Sequence, residues 1–219
     1  MDNPFSFFSY DSKFSKCVIY LSSMVVLNML YLICCLPLFT IGAAQAGMLS
    51  AARVMQDPEN DESCFKAYFR GFRSGFGRIT ILWILFSLLI VVAALGLLIS
   101  TMYYEKYVGN GLTVVSGIAL TVCAVIQSMA VIVHTHFGCT VRQLLANAFI
   151  VSVRYLLRAV GVAMLIWLPV LIAFWNVTEF LRIMPLWIFG YYGLAFQVIA
   201  KLIRAPFRRI AENARIMSE

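Results

Sequence analysis

The chain has 219 residues, of which 62% are hydrophobic and 12% are charged. Soluble domains carry about 25% charged residues, so this composition excludes an ordinary soluble protein. The formal net charge is +7, but the basic residues flank apolar runs. They therefore indicate contact with anionic lipid headgroups rather than with nucleic acid. We expect the lipid bilayer as a partner and no nucleic acid.

Long runs without Asp, Glu, Lys or Arg predict an all-α polytopic bundle of transmembrane helices. Each run approaches or exceeds the length of a spanning helix, which needs about 20 apolar residues. Barrel strands would be shorter and would alternate in polarity. We predict one membrane domain over residues 1–219, with five spans at about 17–39, 79–104, 112–133, 159–178 and 183–200.

The segments between the spans carry local signals. Residues 1–16 are crowded with Phe and Tyr, as at a membrane interface, and Tyr103 and Tyr104 would anchor one end of the second span. Gly109-Asn110-Gly111 predicts a turn. Residues 142–158 predict a partly buried cytoplasmic helix that leads into the fourth span, where Pro169 should produce a kink.

The first run, Cys17 to Ala52, is broken at Pro37, which removes a backbone donor and should end or kink a helix. Thr40 could cap the following helix through its hydroxyl. Small residues then follow, which allow a neighbouring helix to approach closely. We interpret this segment as a hinge and packing site. Its residues are Asn28, which needs a polar partner inside lipid, with Pro37, Thr40, Gly42, Ala43, Ala44 and Gly47.

The same stretch carries a resemblance. Asn28-Met29-Leu30-Tyr31-Leu32, followed by Cys35-Leu36-Pro37-Leu38-Phe39-Thr40-Ile41-Gly42-Ala43-Ala44, resembles the opening signature of the YesL-like family of bacterial integral membrane proteins. Phe69 to Arg73 and Leu144 to Phe149 resemble later segments of that family. The molecular function of the family is unknown. The resemblance implies an association with bacterial sugar uptake and breakdown.

A basic, aromatic segment follows the acidic turn at residues 57–62. Its Phe residues recur at helical spacing and its basic residues surround them, a pattern typical of a helix lying in the membrane interface. The segment is either a membrane-surface anchor or a docking helix for a cytoplasmic partner. The candidate residues are Phe65, Lys66, Phe69, Arg70, Phe72, Arg73 and Phe76.

Chemical motifs are scarce. All ten acidic residues lie outside the apolar cores, and no nucleotide-binding, zinc-protease or serine-hydrolase motif is present. His134 and His136 do not face each other on a helix, so we expect no metal site. We predict a non-enzyme without cofactor and read the six cysteines as reduced apolar residues. Three amide residues in the charge-free runs, Gln45, Gln127 and Gln197, could instead line a polar cavity.

Charge distribution predicts the orientation. Thirteen of the seventeen basic residues lie in residues 53–78, 134–158 and 201–219, which the positive-inside rule places in the cytoplasm together with the C-terminus. Five spans would put the N-terminus outside. A hairpin turning at Pro37 would put it inside with Lys13 and Lys16. We favour five spans and keep the hairpin as the alternative.

These features lead to two functional hypotheses. The first is an accessory or interaction component of a bacterial carbohydrate system in the cell membrane, which binds transporter subunits or a second copy of itself. The alternative is a transporter, or a transporter subunit, for a neutral solute such as an oligosaccharide.

Overall fold

The structure is a computed structural model that describes residues 13–57, 60–102, 106–137 and 140–216. Every element within these ranges is helical, as the sequence predicts for an all-α bundle. The aromatic segment at residues 1–12, together with Tyr103, Tyr104 and Cys139, lies outside the described residues. The α-helices are α1 (Lys13–Cys34), α2 (Ile41–Met55), α3 (Cys64–Gly75), α4 (Arg78–Met102), α5 (Lys106–His136), α6 (Val141–Arg154), α7 (Leu156–Trp175), α8 (Val177–Arg182), α9 (Met184–Leu186) and α10 (Tyr192–Ile216).

Six helical segments in this part of the chain are long and apolar enough to cross a membrane. They are Cys17–Cys34, Leu38–Met55, Arg78–Ser100, Gly109–His136, Leu156–Trp175 and Met184–Ala205. The lengths and the apolar composition of these helices are those of a multi-pass membrane protein. The additional segment relative to our five predicted spans is α2, because the first apolar run contains two helices.

The first run folds as a hairpin. Helix α1 ends at Cys34, a short 3₁₀ turn occupies Leu38–Thr40, and α2 begins at Ile41. Met24 and Leu27 of α1 line a small cavity together with Met55 of α2, so the two helices run antiparallel. The first apolar run therefore contains two helices with a turn at Pro37, and the choice between five spans and the hairpin topology stays a prediction. Pro37 provides the physical reason for the turn, because it cannot continue α1.

Helices α4 and α5 form a second, longer hairpin. Thr113 Oγ1 donates to Ser100 Oγ over 2.9 Å, and a Cβ built on Gly96 would lie 2.5 Å from Ser116 Oγ. The predicted turn at residues 109–111 is wrong, because α5 already begins at Lys106. A glycine costs a helix only about 1 kcal/mol relative to alanine, and the contacts with α4 compensate for this.

The second half of the chain follows the predicted order. Helix α6 precedes α7 and is separated from it by Tyr155, whose backbone is not helical. Pro169 lies inside α7. The short segment after α7 is the helix α8, and Asn176 caps its start, because Asn176 Oδ1 accepts from Thr178 N over 3.0 Å. The last span then runs from α9 through five residues of π-helix, Trp187–Tyr191, into α10.

Helix α2 lies at the centre of the core. Its residues from Gly42 to Leu49 are all buried, including Ala43 and Ala44 at 0% exposure. Gly42 at its start faces Ile79 of α4, and Arg53 near its end bonds to Thr135 of α5. Both ends of α2 thus contact the same end of the α4–α5 hairpin, the end with Arg78 and His136.

Candidate functional site

The turn after α1 is stabilised by Thr40. Its hydroxyl oxygen lies 2.5 Å from Cys34 O and 2.6 Å from Pro37 O, so these two carbonyls share its single proton, and Pro37 O also accepts from Thr40 N over 2.9 Å. We predicted that Thr40 accepts from the N–H groups of α2, and this is wrong. The reason is the 3₁₀ turn: Thr40 has φ −91° and ψ −4°, instead of the extended backbone of most N-caps.

Small residues of α2 contact small residues of α3. A Cβ built on Gly47 would lie 2.8 Å from Tyr68 O, and one built on Gly75 would lie 3.4 Å from Ala43 Cα. Helix α3 therefore runs antiparallel to α2 at close range. Tyr68 fills the space beside Gly47 and is completely buried, and burial raises the pKa of its phenol. Helix α3 therefore covers the side of α2 on which the predicted hinge residues Ala43 and Gly47 lie.

Gly42 lies against α4. A Cβ at this position would be 2.8 Å from Ile79 Cγ2 and 2.9 Å from Trp83 Cβ. Ala44 and Ala43 nearby are fully buried. No side chain larger than hydrogen fits at residue 42 without displacing α4.

Replacement of Gly42 by leucine should therefore lower the melting temperature and the yield of folded protein in detergent. Overpacking of this kind costs about 1–3 kcal/mol. Val92→Leu is the matched control, because Val92 is 60% exposed on α4. Thermal melting of both purified variants measures the difference. A Gly42→Leu protein that melts like wild type would contradict a packing role and would favour a binding role for this turn.

Asn28 joins α1 to the π-helical part of the last span. It is fully buried, and its Nδ2 donates to Trp187 O over 3.0 Å and to Ile188 O over 2.5 Å. Its Oδ1 accepts from Gly193 N over 3.1 Å. A π-helix shifts the backbone hydrogen-bond pattern, and the Asn28 amide binds backbone groups in and just after the shifted turn. We expected a polar partner on another helix, and the partner is backbone.

A second polar cluster surrounds Arg53. Its Nη1 donates to Thr135 O over 2.9 Å and its Nη2 to Thr135 Oγ1 over 2.8 Å. Nη2 also contacts His136 Nδ1, and the His136 ring stacks on Phe207 with centroids 4.0 Å apart. Among the residues whose side chains are described, no carboxylate forms an ion pair with Arg53. The guanidinium is held by uncharged acceptors.

Sequence reasoning missed this cluster. Arg53 follows directly on the charge-free run, so it could have been examined as an ionisable residue at the end of a buried helix. His134 Nε2 lies 3.1 Å from Ser74 O, and the described residues contain no group of three His, Cys, Asp or Glu side chains that could bind a metal ion.

The three glutamines of the predicted polar cavity have different surroundings. Gln197 lines the small cavity between α1, α2 and α10, which is too narrow for a water molecule, and its Oε1 accepts from Gln56 Nε2 over 2.7 Å. Gln45 and Gln127 are buried but do not line this cavity. Apart from Gln197, the cavity is lined by Met24, Leu27, Met48, Ala52, Met55 and Gly193.

The aromatic segment forms α3 and has three distinct faces. Ala67, Tyr68, Gly71 and Gly75 form the buried face. Lys66, Arg70 and Arg73 are exposed. The four predicted Phe residues divide into two pairs: Phe69 and Phe76 are 54% and 46% exposed, whereas Phe65 and Phe72 are half-buried and pack against the core.

This region is also where similarity to a known family is found. Residues 24–97 match a family model described as "Protein of unknown function, DUF624". In the structure, the matched segment extends from Met24 in α1 to Leu97 in α4 and includes Asn28, the Pro37 turn, α2 and α3. No curated protein and no solved structure matches the chain.

Proposed function

We propose that the protein is an accessory or interaction component of a membrane system, and that this system takes up or uses carbohydrate in a bacterium. The observation that carries the proposal is the close packing of the helices in the described part of the chain. Ligand sites usually have volumes of about 300–1,000 Å³, whereas the space beside Gln197 is too narrow to hold a water molecule. Close packing of this kind supports association over solute transport. The carbohydrate part is supported by the resemblance of the Asn28–Ala44 segment to the YesL-like family.

Uptake of labelled oligosaccharides by a deletion strain tests this function. We expect reduced uptake of at least one sugar, with recovery when the wild-type chain is supplied. We also expect recovery with Gln197→Met, which changes the lining of the cavity, at equal protein abundance. Recovery by wild type but not by Gln197→Met would support the transporter alternative. Unchanged uptake of every sugar in the deletion strain would remove the carbohydrate part.

Within this proposal the protein resides in the cell membrane with its C-terminus in the cytoplasm. Helices α4, α5, α7 and the last span cross the bilayer, while α1 and α2 form a re-entrant hairpin on the cytoplasmic side. The support comes from α2, both ends of which contact the Arg78 end of the α4–α5 hairpin. A re-entrant hairpin also places Lys13 and Lys16 inside, so fifteen of the seventeen basic residues are cytoplasmic.

Cysteine labelling of intact cells with an impermeant maleimide should test this topology. In a cysteine-free background, we expect Arg182→Cys to react, and Leu36→Cys and Asp61→Cys to remain unlabelled. Leu36 is 78% exposed at the tip of the hairpin, so a crossing hairpin would present it to the reagent. Labelling of Leu36→Cys in intact cells would overturn the re-entrant arrangement. Labelling of a cysteine in residues 1–12 would restore an external N-terminus.

A further inference from the structure

The outward face of α3 is basic and aromatic. Lys66, Arg70 and Arg73 follow each other at spacings of four and three, so they form one stripe along the helix. Arg70 is partly neutralised by Glu62 at 2.8 Å. Phe69 and Phe76 form a neighbouring stripe, and both are about half exposed. Cations beside exposed aromatic rings are typical of a helix that lies between headgroups and acyl chains.

The fold places this face at the end of an apolar span. Only Phe76 and Gly77 separate α3 from α4. Ser74 lies beside His134, which is in the last turn of α5. The α4 surface that follows is apolar and exposed, with Ile81 at 60% and Leu88 at 61%. An extended apolar surface of this kind faces acyl chains, so α3 lies at the depth of the lipid headgroups.

The binding partner follows from this position. The basic side chains are at the headgroup layer, the exposed Phe rings are beside them, and the surface continues into the lipid-facing side of α4. A protein partner would have to cover the charged stripe and leave the Phe stripe in lipid. Anionic phospholipid satisfies both stripes at once, because a phosphodiester carries the charge and its acyl chains contact the rings.

We propose that the outward face of α3 is a binding site for anionic phospholipid headgroups, with Lys66 and Arg73 as its main cationic contacts. This site goes beyond the accessory function and does not depend on it. Phe69 and Phe76 contact the acyl chains, and the buried face of α3 fixes the stripe relative to α4.

The test uses the purified full-length protein in a mild detergent at low ionic strength. Short-chain phosphatidylglycerol or phosphatidylcholine is titrated, and binding is followed by thermophoresis. We expect wild type to bind phosphatidylglycerol more tightly than phosphatidylcholine. The double variant Lys66→Gln/Arg73→Gln should bind phosphatidylglycerol about 30-fold more weakly, since each basic residue near a membrane surface contributes about fivefold. Its melting temperature without lipid should match that of wild type, because both residues are exposed.

The matched control is Arg142→Gln/Arg204→Gln, which removes two exposed cations from α6 and α10. It should bind phosphatidylglycerol like wild type. Equal affinity of wild type for both lipids would overturn the proposal. So would equal losses in the two double variants, which would indicate net charge rather than a site. If the Lys66/Arg73 variant keeps lipid affinity but loses crosslinking to a transporter subunit in cells, the face binds protein and the lipid site is wrong.

Discussion

Replacement of Gly71 by alanine should destabilise the protein, although alanine is the better helix former. A Cβ at residue 71 would meet Ser50 Oγ and would lie 2.8 Å from Ala46 O. A backbone carbonyl in a packed helix cannot move aside alone, so α2 and α3 must separate. Overpacking costs about 1–3 kcal/mol, which exceeds the gain of about 1 kcal/mol in helix propensity. We expect a lower melting temperature in detergent.

Gly161→Ala is the matched control for this prediction. Gly161 also lies inside a helix, α7, but a Cβ there would have no neighbour within 4 Å. The same substitution should leave stability unchanged or raise it by up to about 1 kcal/mol. Comparing the melting temperatures of the two variants separates the effect of the new Cβ contact with α2 from the effect of helix propensity. If both variants melt at or above the wild-type temperature, the close approach of α3 to α2 is not required for stability.

Replacement of Asn28 by leucine should have the second large effect. Leucine has the same number of side-chain heavy atoms, although it is bulkier, and it cannot bond to Trp187 O, Ile188 O or Gly193 N. Buried backbone groups that lose a partner cost about 1–3 kcal/mol each, although hydrogen bonds inside membranes average nearer 0.6 kcal/mol. We expect a loss of about 2 kcal/mol in total, measured as the free energy of unfolding in mixed detergent.

The control for Asn28 is the same change at Asn110, which is exposed at the start of α5. Asn110→Leu should leave the unfolding free energy within about 0.5 kcal/mol of wild type. Hydrogen exchange adds a second measurement: the Gly193 amide should exchange faster in Asn28→Leu and not in Asn110→Leu. Unaltered exchange at Gly193 would show that the Asn28 amide does not hold the last span.

Local chemistry made part of this fold predictable. A proline in an apolar run is expected to end or kink a helix, as Pro37 does after α1, and charge-free runs of spanning length identify apolar helices. The packing role of Gly42 and Gly47 was predictable in the same way, because small residues in a membrane helix indicate that a neighbouring helix packs closely against it. These signals depend on neighbours along the chain, so the sequence contains them directly.

The remaining features depend on contacts that no local pattern encodes. Arg53 bonds to Thr135 and His136, 82 and 83 residues later, and nothing near Arg53 identifies those partners. Thr40 has the residue type of a helix cap, but the 3₁₀ turn directs its hydroxyl backwards. Whether the first apolar run crosses the bilayer once or turns back at Pro37 was also ambiguous in the sequence. The length and hydropathy of a segment do not specify its depth in the membrane.

The distance along the chain between Asn28 and its partners has a consequence for biosynthesis. Trp187 and Gly193 follow Asn28 by 159 and 165 residues. At about 5–20 residues per second, a ribosome needs roughly 8–33 s to produce them. During this interval the Asn28 amide lacks the backbone groups that it will bind. The earliest part of the protein to be made is thus among the last to reach its final contacts, and a chain halted before the last span would present that amide to quality-control proteases.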